Sequence, residues 1–249
     1  MATVRRSLLA VLLSLTVALQ PSATLAASAP GNIAACYSPM HSNAYPLGRE
    51  ALNMDNLKKA MDDDFALMKK HVTHVRTYYS QFFGAHIAPV AAKHGLKLYL
   101  GVFMTSEAWG TTEIDAAVEA ATKFPGTVEA IIVGNENLHT GTSAAAILGV
   151  VNQIRARVGN TPVKFGTVQR ITEYVDANFD AQTKQLEASL DILGVNIYPF
   201  FDPHFDVSKP ADLTNTLWNR MAKKFDVKKM RLTETGFPTA GAPSPISPR

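Results

Sequence analysis

The stretch Ile131-Ile132-Val133-Gly134-Asn135-Glu136 decides how this chain is read. A short run of branched aliphatic residues predicts a strand buried on both faces, and a carboxylate at its end sits where a parallel sheet opens to solvent. A second stretch repeats the arrangement: Met230-Arg231-Leu232-Thr233-Glu234-Thr235-Gly236-Phe237-Pro238. Gly134 before Asn135 and Gly236 after Thr235 predict sharp backbone turns where each strand leaves the sheet. An Asn-Glu dipeptide alone reads as a solvated loop or helix cap. Two glutamates at two strand ends point to cleavage of a glycosidic bond. That reaction needs one carboxylic acid for the leaving oxygen and one carboxylate at the anomeric carbon.

Outward from these strands the chain alternates apolar runs with amphipathic ones. Strands are expected at 33–37, 74–79, 97–103, 129–133, 163–167, 192–198 and 229–233. Helices are expected at 55–70, 83–94, 112–124, 143–158, 172–190 (broken) and 212–225. Thr112 with Asp115 reads as a capping box, and Gly95 and Gly159 as helix stops. Seven βα repeats predict a (β/α)8 TIM-type barrel rather than a doubly wound sheet, because no glycine-rich phosphate loop follows the first strand. The count ends one short. The last twelve residues carry four prolines and no strand pattern, so the eighth strand and its helix are expected to be missing, leaving two open edges.

Residues 1–27 carry the three parts of a secretory signal: Arg5 and Arg6, an apolar stretch from Leu8 to Leu19, and small residues ending at Ala27. The expected division is a signal peptide at 1–27, a barrel domain at 28–239 and a Pro/Ser-rich disordered tail at 240–249. Loss of Arg5 and Arg6 lowers the formal charge from +3 to +1. A nearly neutral domain lacks the basic footprint of a nucleic-acid or membrane-binding protein, and the paired lysines read as solvated helix faces. The single cysteine, Cys36, permits no intrachain disulfide and reads as a small buried hydrophobe of the first strand. The seven histidines lack metal-ligand spacing, so neither metal nor other cofactor is expected.

With these segments in place, the chain resembles glycoside hydrolase family 17, the β-1,3-glucanases and related glucan transglycosylases. The likeness rests on Ala34-Ala35-Cys36-Tyr37-Ser38-Pro39-Met40, on Val75-Arg76-Thr77-Tyr78-Tyr79-Ser80, on Val133-Gly134-Asn135-Glu136 and on Thr233-Glu234-Thr235-Gly236-Phe237-Pro238. Phe237 departs from the tryptophan usual in the family. The resemblance implies a secreted retaining enzyme acting on the β-1,3-glucan of cell walls, with Glu136 as acid/base on the fourth strand and Glu234 as nucleophile on the seventh. It also implies Asn135 at the sugar 2-hydroxyl and Tyr198 against the nucleophile, with Asn196 sharing that strand face. Tyr37, Arg76 and Tyr78 match positions near the non-reducing side of the cleft.

Each of these positions has a plainer reading. Asn135 reads equally as a turn residue, Tyr198 as a satisfied tyrosine of a buried strand, and Arg76 as the partner of a core carboxylate. Trp109 either stacks on a glucose face or packs its own loop. Phe200, Phe201 and Phe205 either line sugar subsites or fill core, and Glu107 reads as solvated. Hydrolysis and glucan transfer share every named residue. Product chain length on laminarin oligosaccharides separates the two, and a non-catalytic glucan-binding or degenerate protein is the competing class.

Overall fold

The structure, a computed structural model, describes residues 34–45 and 52–237. Seven parallel strands form one sheet in the order β1 (Ala34–Tyr37), β2 (His74–Thr77), β5 (Lys97–Val102), β6 (Val128–Asn135), β7 (Lys164–Arg170), β8 (Ile192–Asn196) and β9 (Met230–Glu234). The sheet curls into a nearly closed barrel. β1 and β9 share no ladder, yet the Cys36 thiol donates to the Thr233 carbonyl at 3.2 Å across the remaining gap. Six of the helices that flank the strands are α1 (Met54–Met68), α2 (Ile87–His94), α3 (Gly110–Lys123), α4 (Ala144–Val158), α6 (Asp180–Ser189) and α7 (Asp212–Ala222); the short α5 (Ile171–Val175) precedes α6. No helix among the described residues is long and apolar enough to cross a membrane.

The period of two along each strand sorts the core into two layers. Val75, Leu98, Leu100, Ile131, Val133, Leu193 and Val195 face outward onto the helices and are all buried. On α1 the contact comes from Leu57, Met61 and Phe65, spaced four apart on one face and fully buried. Full burial of each such side chain contributes roughly 1.5–3 kcal/mol. Ala130, Ile132, Val168 and Ile192 face inward and, with Tyr99, pack the side of the barrel interior formed by β5, β6, β7 and β8.

The strands fall within three residues of the expected spans at either end, but the second helix does not. Residues 81–86 form a small antiparallel hairpin of β3 (Gln81–Phe82) and β4 (Ala85–His86), and the helix begins only at Ile87. Phe83 and Gly84 both have positive φ, +52° and +88°, the signature of a two-residue hairpin turn. Thr112 does not cap α3 either. The helix starts at Gly110, Thr112 donates back to the Trp109 carbonyl, and Asp115 instead pairs with Arg157 at 2.7 Å. Gly95 and Gly159 end α2 and α4 as expected. Cys36 is exposed, not buried, because its strand lies at a sheet edge. The expected signal segment 1–27 and tail 240–249 lie outside the described residues.

Candidate active site

Glu136 and Glu234 follow or end the fourth and seventh strands of the barrel, so both lie at its C-terminal rim. At β6 the chain reaches this position through a distortion. Gly134 has φ +74°, and a side-chain carbon there would fall 2.2 Å from Asn137 Oδ1, so any larger residue would strain the backbone and displace the Asn137 side chain. Glu136 itself adopts φ +58°, a conformation uncommon for any residue other than glycine. Surrounding bonds hold it there: Glu136 N donates to Val168 O at 2.8 Å, Asn135 N to Asn137 Oδ1 at 2.8 Å, and Leu138 N to Gln169 Oε1 at 2.9 Å. Gln169, fully buried, is fixed by Thr167, whose hydroxyl donates to Val133 O at 2.7 Å.

Glu234 presents its two oxygens to two donors. Arg76 Nη1 donates to Oε1, and Tyr198 Oη donates to Oε2 at 2.7 Å. Burial and then the Glu234 carboxylate push the Tyr198 hydroxyl well above the ordinary tyrosine range, so the phenol keeps its proton. Arg76 is 3% exposed, lies 4.3 Å above the Tyr78 ring, and with Nη2 donates to Asn135 Oδ1 at 2.9 Å. Asn196 completes the link: its Nδ2 donates to Asn135 Oδ1 at 3.1 Å and to Glu136 Oε1 at 2.7 Å, while its Oδ1 accepts from Thr233. The hydrogen-bonded path Glu136–Asn196–Asn135–Arg76–Glu234 therefore joins the two carboxyls. Asn196 and Glu234 are in-register partners on β8 and β9, which accounts for their shared face.

Of the residues expected beside the pair, Asn135, Asn196, Arg76, Tyr78 and Tyr198 are brought together. Tyr37 is not. It follows Cys36 on the alternate face of β1, packs on Phe65 at 5.0 Å and donates its hydroxyl to Asp64 of α1 at 2.9 Å. Trp109 lies off the pair, in an aromatic stack with Phe103 and Tyr79, its indole N–H donating to Glu107 at 2.8 Å. Gly236 is not among the residues with positive φ, so the turn expected after Thr235 does not depend on it. Phe237 packs on Phe205, and Phe201 on Tyr198 and Phe200.

Two contributions escaped the sequence reading. Arg170 ends β7 in register with Asn196 and is gripped by buried Glu173, with an Nη2–Oε1 distance of 2.6 Å. Its hydrogen bonds to Glu173 hold Arg170 charged, and the charge of Glu136 adds to this. A cation closing a barrel strand was the available signal. The other is Glu113, fully buried on α3, whose Oε2 accepts from Ser80 N and Phe103 N and whose Oε1 accepts from Gln81. It ties together the loops that follow β2 and β5. Burial pushes its pKa up, against the pull of those hydrogen bonds.

Residues 34–246 match the BtgE/BtgC glycoside hydrolase domain. A protein named probable beta-glucosidase btgE from Aspergillus flavus is 31% identical over 187 residues, which cover 72% of this chain and 29% of that one. A glucan 1,3-beta-glucosidase from Arthroderma benhamiae is 28% identical over 72% of this chain and 60% of its own length. The chain thus spans less than two thirds of these relatives. Among solved structures, the glycoside hydrolase family 17 beta-1,3-glucanosyltransferase from Rhizomucor miehei superposes with a TM-score of 0.64 at 19% identity, over 84% of this chain and 73% of that one. An active-site mutant of the same enzyme, in complex with laminaritriose, gives 0.62 at 20% identity. These likenesses show the fold that the family 17 resemblance implied.

Proposed function

The chain belongs to the BtgE/BtgC glycoside hydrolase family, and from that premise we propose that it is a secreted retaining enzyme of β-1,3-glucan. The observation that carries this reading is the single hydrogen-bonded path joining Glu136 to Glu234 at the barrel rim. Both Glu234 oxygens face donors, a setting suited to a carboxylate, and Glu136 faces a neutral amide. We therefore assign Glu234 as nucleophile and Glu136 as acid/base. Glu234 attacks the anomeric carbon while the glycosidic C–O bond breaks, and Glu136 gives its proton to the departing oxygen. Glu136 then takes a proton from an incoming hydroxyl, whose oxygen displaces Glu234 and restores the starting configuration. This geometry needs carboxyls about 5–5.5 Å apart.

The β-1,3 linkage is supported by the names of the relatives and by the laminaritriose bound to the Rhizomucor enzyme. The near-neutral charge fits a neutral polysaccharide, and the signal pattern at 1–27 supports export to a cell wall. Water as the incoming group gives hydrolysis, and a sugar hydroxyl gives transfer. The likeness to a glucanosyltransferase keeps transfer as the second reading, and products longer than the donor on laminarin oligosaccharides distinguish it.

Glu136→Gln and Glu234→Gln are each expected to lower laminarin cleavage by at least about a hundredfold without unfolding the protein. With an activated β-glucoside and azide, Glu234→Ala should yield the α-glycosyl azide and Glu136→Ala the β-glycosyl azide. The reverse pairing of products would exchange the two roles, and full activity in either glutamine variant would end the two-carboxylate account.

A further inference from the structure

Outside the glutamate pair, the same rim carries a second built feature. Tyr45, Tyr79, Phe82, Phe83, His86 and Trp109 line a cavity of about 620 Å³. They come from the segments that follow β1, β2 and β5, at the end of the barrel that carries Glu136 and Glu234. The rings form one connected group. Tyr79 stacks on Phe103 at 4.7 Å and 8°, Phe103 on Trp109 at 5.6 Å, and Phe82 joins Tyr79 to Tyr45 at 5.3 and 5.9 Å. The consecutive tyrosines 78 and 79 divide between the two sites: Tyr78 lies under Arg76, and Tyr79 enters the stack. Buried Glu113 fixes both strand ends concerned, through Ser80 N and Phe103 N.

Phe83 makes the feature hard to explain by packing. It is 51% exposed, and it holds φ +52° at the tip of the hairpin. A bulky side chain in that conformation costs stability that glycine would not, and the ring, resting on Tyr45 at 5.5 Å, still leaves half its surface to solvent. Strain retained at an exposed position is a mark of a binding surface.

We propose that this aromatic wall binds glucose units of the β-glucan chain that lie beyond those held at the glutamate pair. The inference rests on the functional reading above. The described residues lining the cavity include no lysine, arginine, aspartate or glutamate, which suits an uncharged ligand. Flat, rigid rings meet the apolar C–H face of a pyranose at little entropic cost. Continuity along Tyr78–Tyr79 gives a chain leaving the pair a path onto the stack.

The test uses Glu136→Gln protein, which binds without turnover, and measures its affinity for laminarihexaose and laminaribiose by calorimetry. Adding Phe83→Gly or Trp109→Ala should weaken hexaose binding by about tenfold each, as for an aromatic anchor, and biose binding less than twofold. Phe83→Gly should also melt no lower than its parent, because glycine suits that backbone. Unchanged hexaose affinity in the folded Phe83→Gly protein, with laminarin still cleaved by the wild type, would overturn the wall and leave the functional reading standing. Failure of Glu136→Gln to bind hexaose, together with no laminarin cleavage by the wild type, would remove both. A shift from dimer to monomer on Phe83→Gly, with hexaose affinity unaltered, would overturn the proposal in favour of self-association.

Discussion

Glu113 shows how much a single carboxylate can organise. Its two oxygens meet three N–H donors, two from backbone and one from Gln81, and its own backbone carbonyl accepts from the Ser80 hydroxyl at 2.7 Å. Glutamine has the same shape but presents one oxygen and one NH2 group. Whichever way that amide turns, a donor faces a donor. Glu113→Gln is therefore expected to cost about 1–3 kcal/mol, the range for a buried polar group left unsatisfied. Urea denaturation measures the loss, and an unchanged midpoint would show that the loops after β2 and β5 are held by other means. None of this was legible in the sequence, where Glu113 is one polar residue on an amphipathic helix. Glu136 and Glu234 were legible because each closes an apolar run, whereas Glu113 acquires its partners only when two loops distant in sequence meet over it.

At the scale of elements, the end of β6 is where local sequence and function meet. The strand lies against β7 with a register shift between Ile132 and Asn135, and the shift delivers Glu136 in the left-handed conformation. Gly134→Ala would force a side-chain carbon against Asn137 Oδ1 and strain a φ of +74°. The expected result is destabilisation of about 1–3 kcal/mol and a larger fall in kcat than in substrate affinity, since Asn137 also positions Asn135. Equal kcat in the variant would mean that the bulge plays no part in aiming Glu136. Strands such as β6 and β8 were readable because a strand buried on both faces is a near-continuous apolar run. The hairpin at 81–86 was not, because the helical period of Ile87–His94 extends visually back over Phe83-Gly84 and hides a two-residue turn. Tyr37 lies apart from the pair for a related reason: strand alternation sends it to the helix side while Cys36 and Arg76, paired across β1 and β2, share the inner face.

At the scale of the barrel that the described strands form, the decisive property is that Glu234 lies on the outermost of them. β9 pairs only with β8, and β1 only with β2, among the described strands. Both edges are thinly covered: Leu232 is 42% exposed and Cys36 is exposed. Beside them a cavity of about 320 Å³ runs between Cys36, Arg76, Tyr99, Arg231 and Thr233. Central strands, with two neighbours and helices outside, open only in global unfolding, whereas an edge strand with one neighbour can open alone. Hydrogen exchange should therefore be slowest in β5, β6 and β7 and faster in β1 and β9, with the Met230–Glu234 amides among the first strand amides to exchange. The side-chain bonds from Arg76 and Tyr198 to Glu234 are then what keep this carboxylate in place at the sheet edge. Tyr198→Phe removes one of them without opening a hole, so exchange in β9 should quicken while β6 stays unchanged. Uniform protection across all seven strands, or a Tyr198→Phe effect that reaches β6 as strongly as β9, would show that the barrel behaves as one closed unit and that the edge does not govern the position of Glu234.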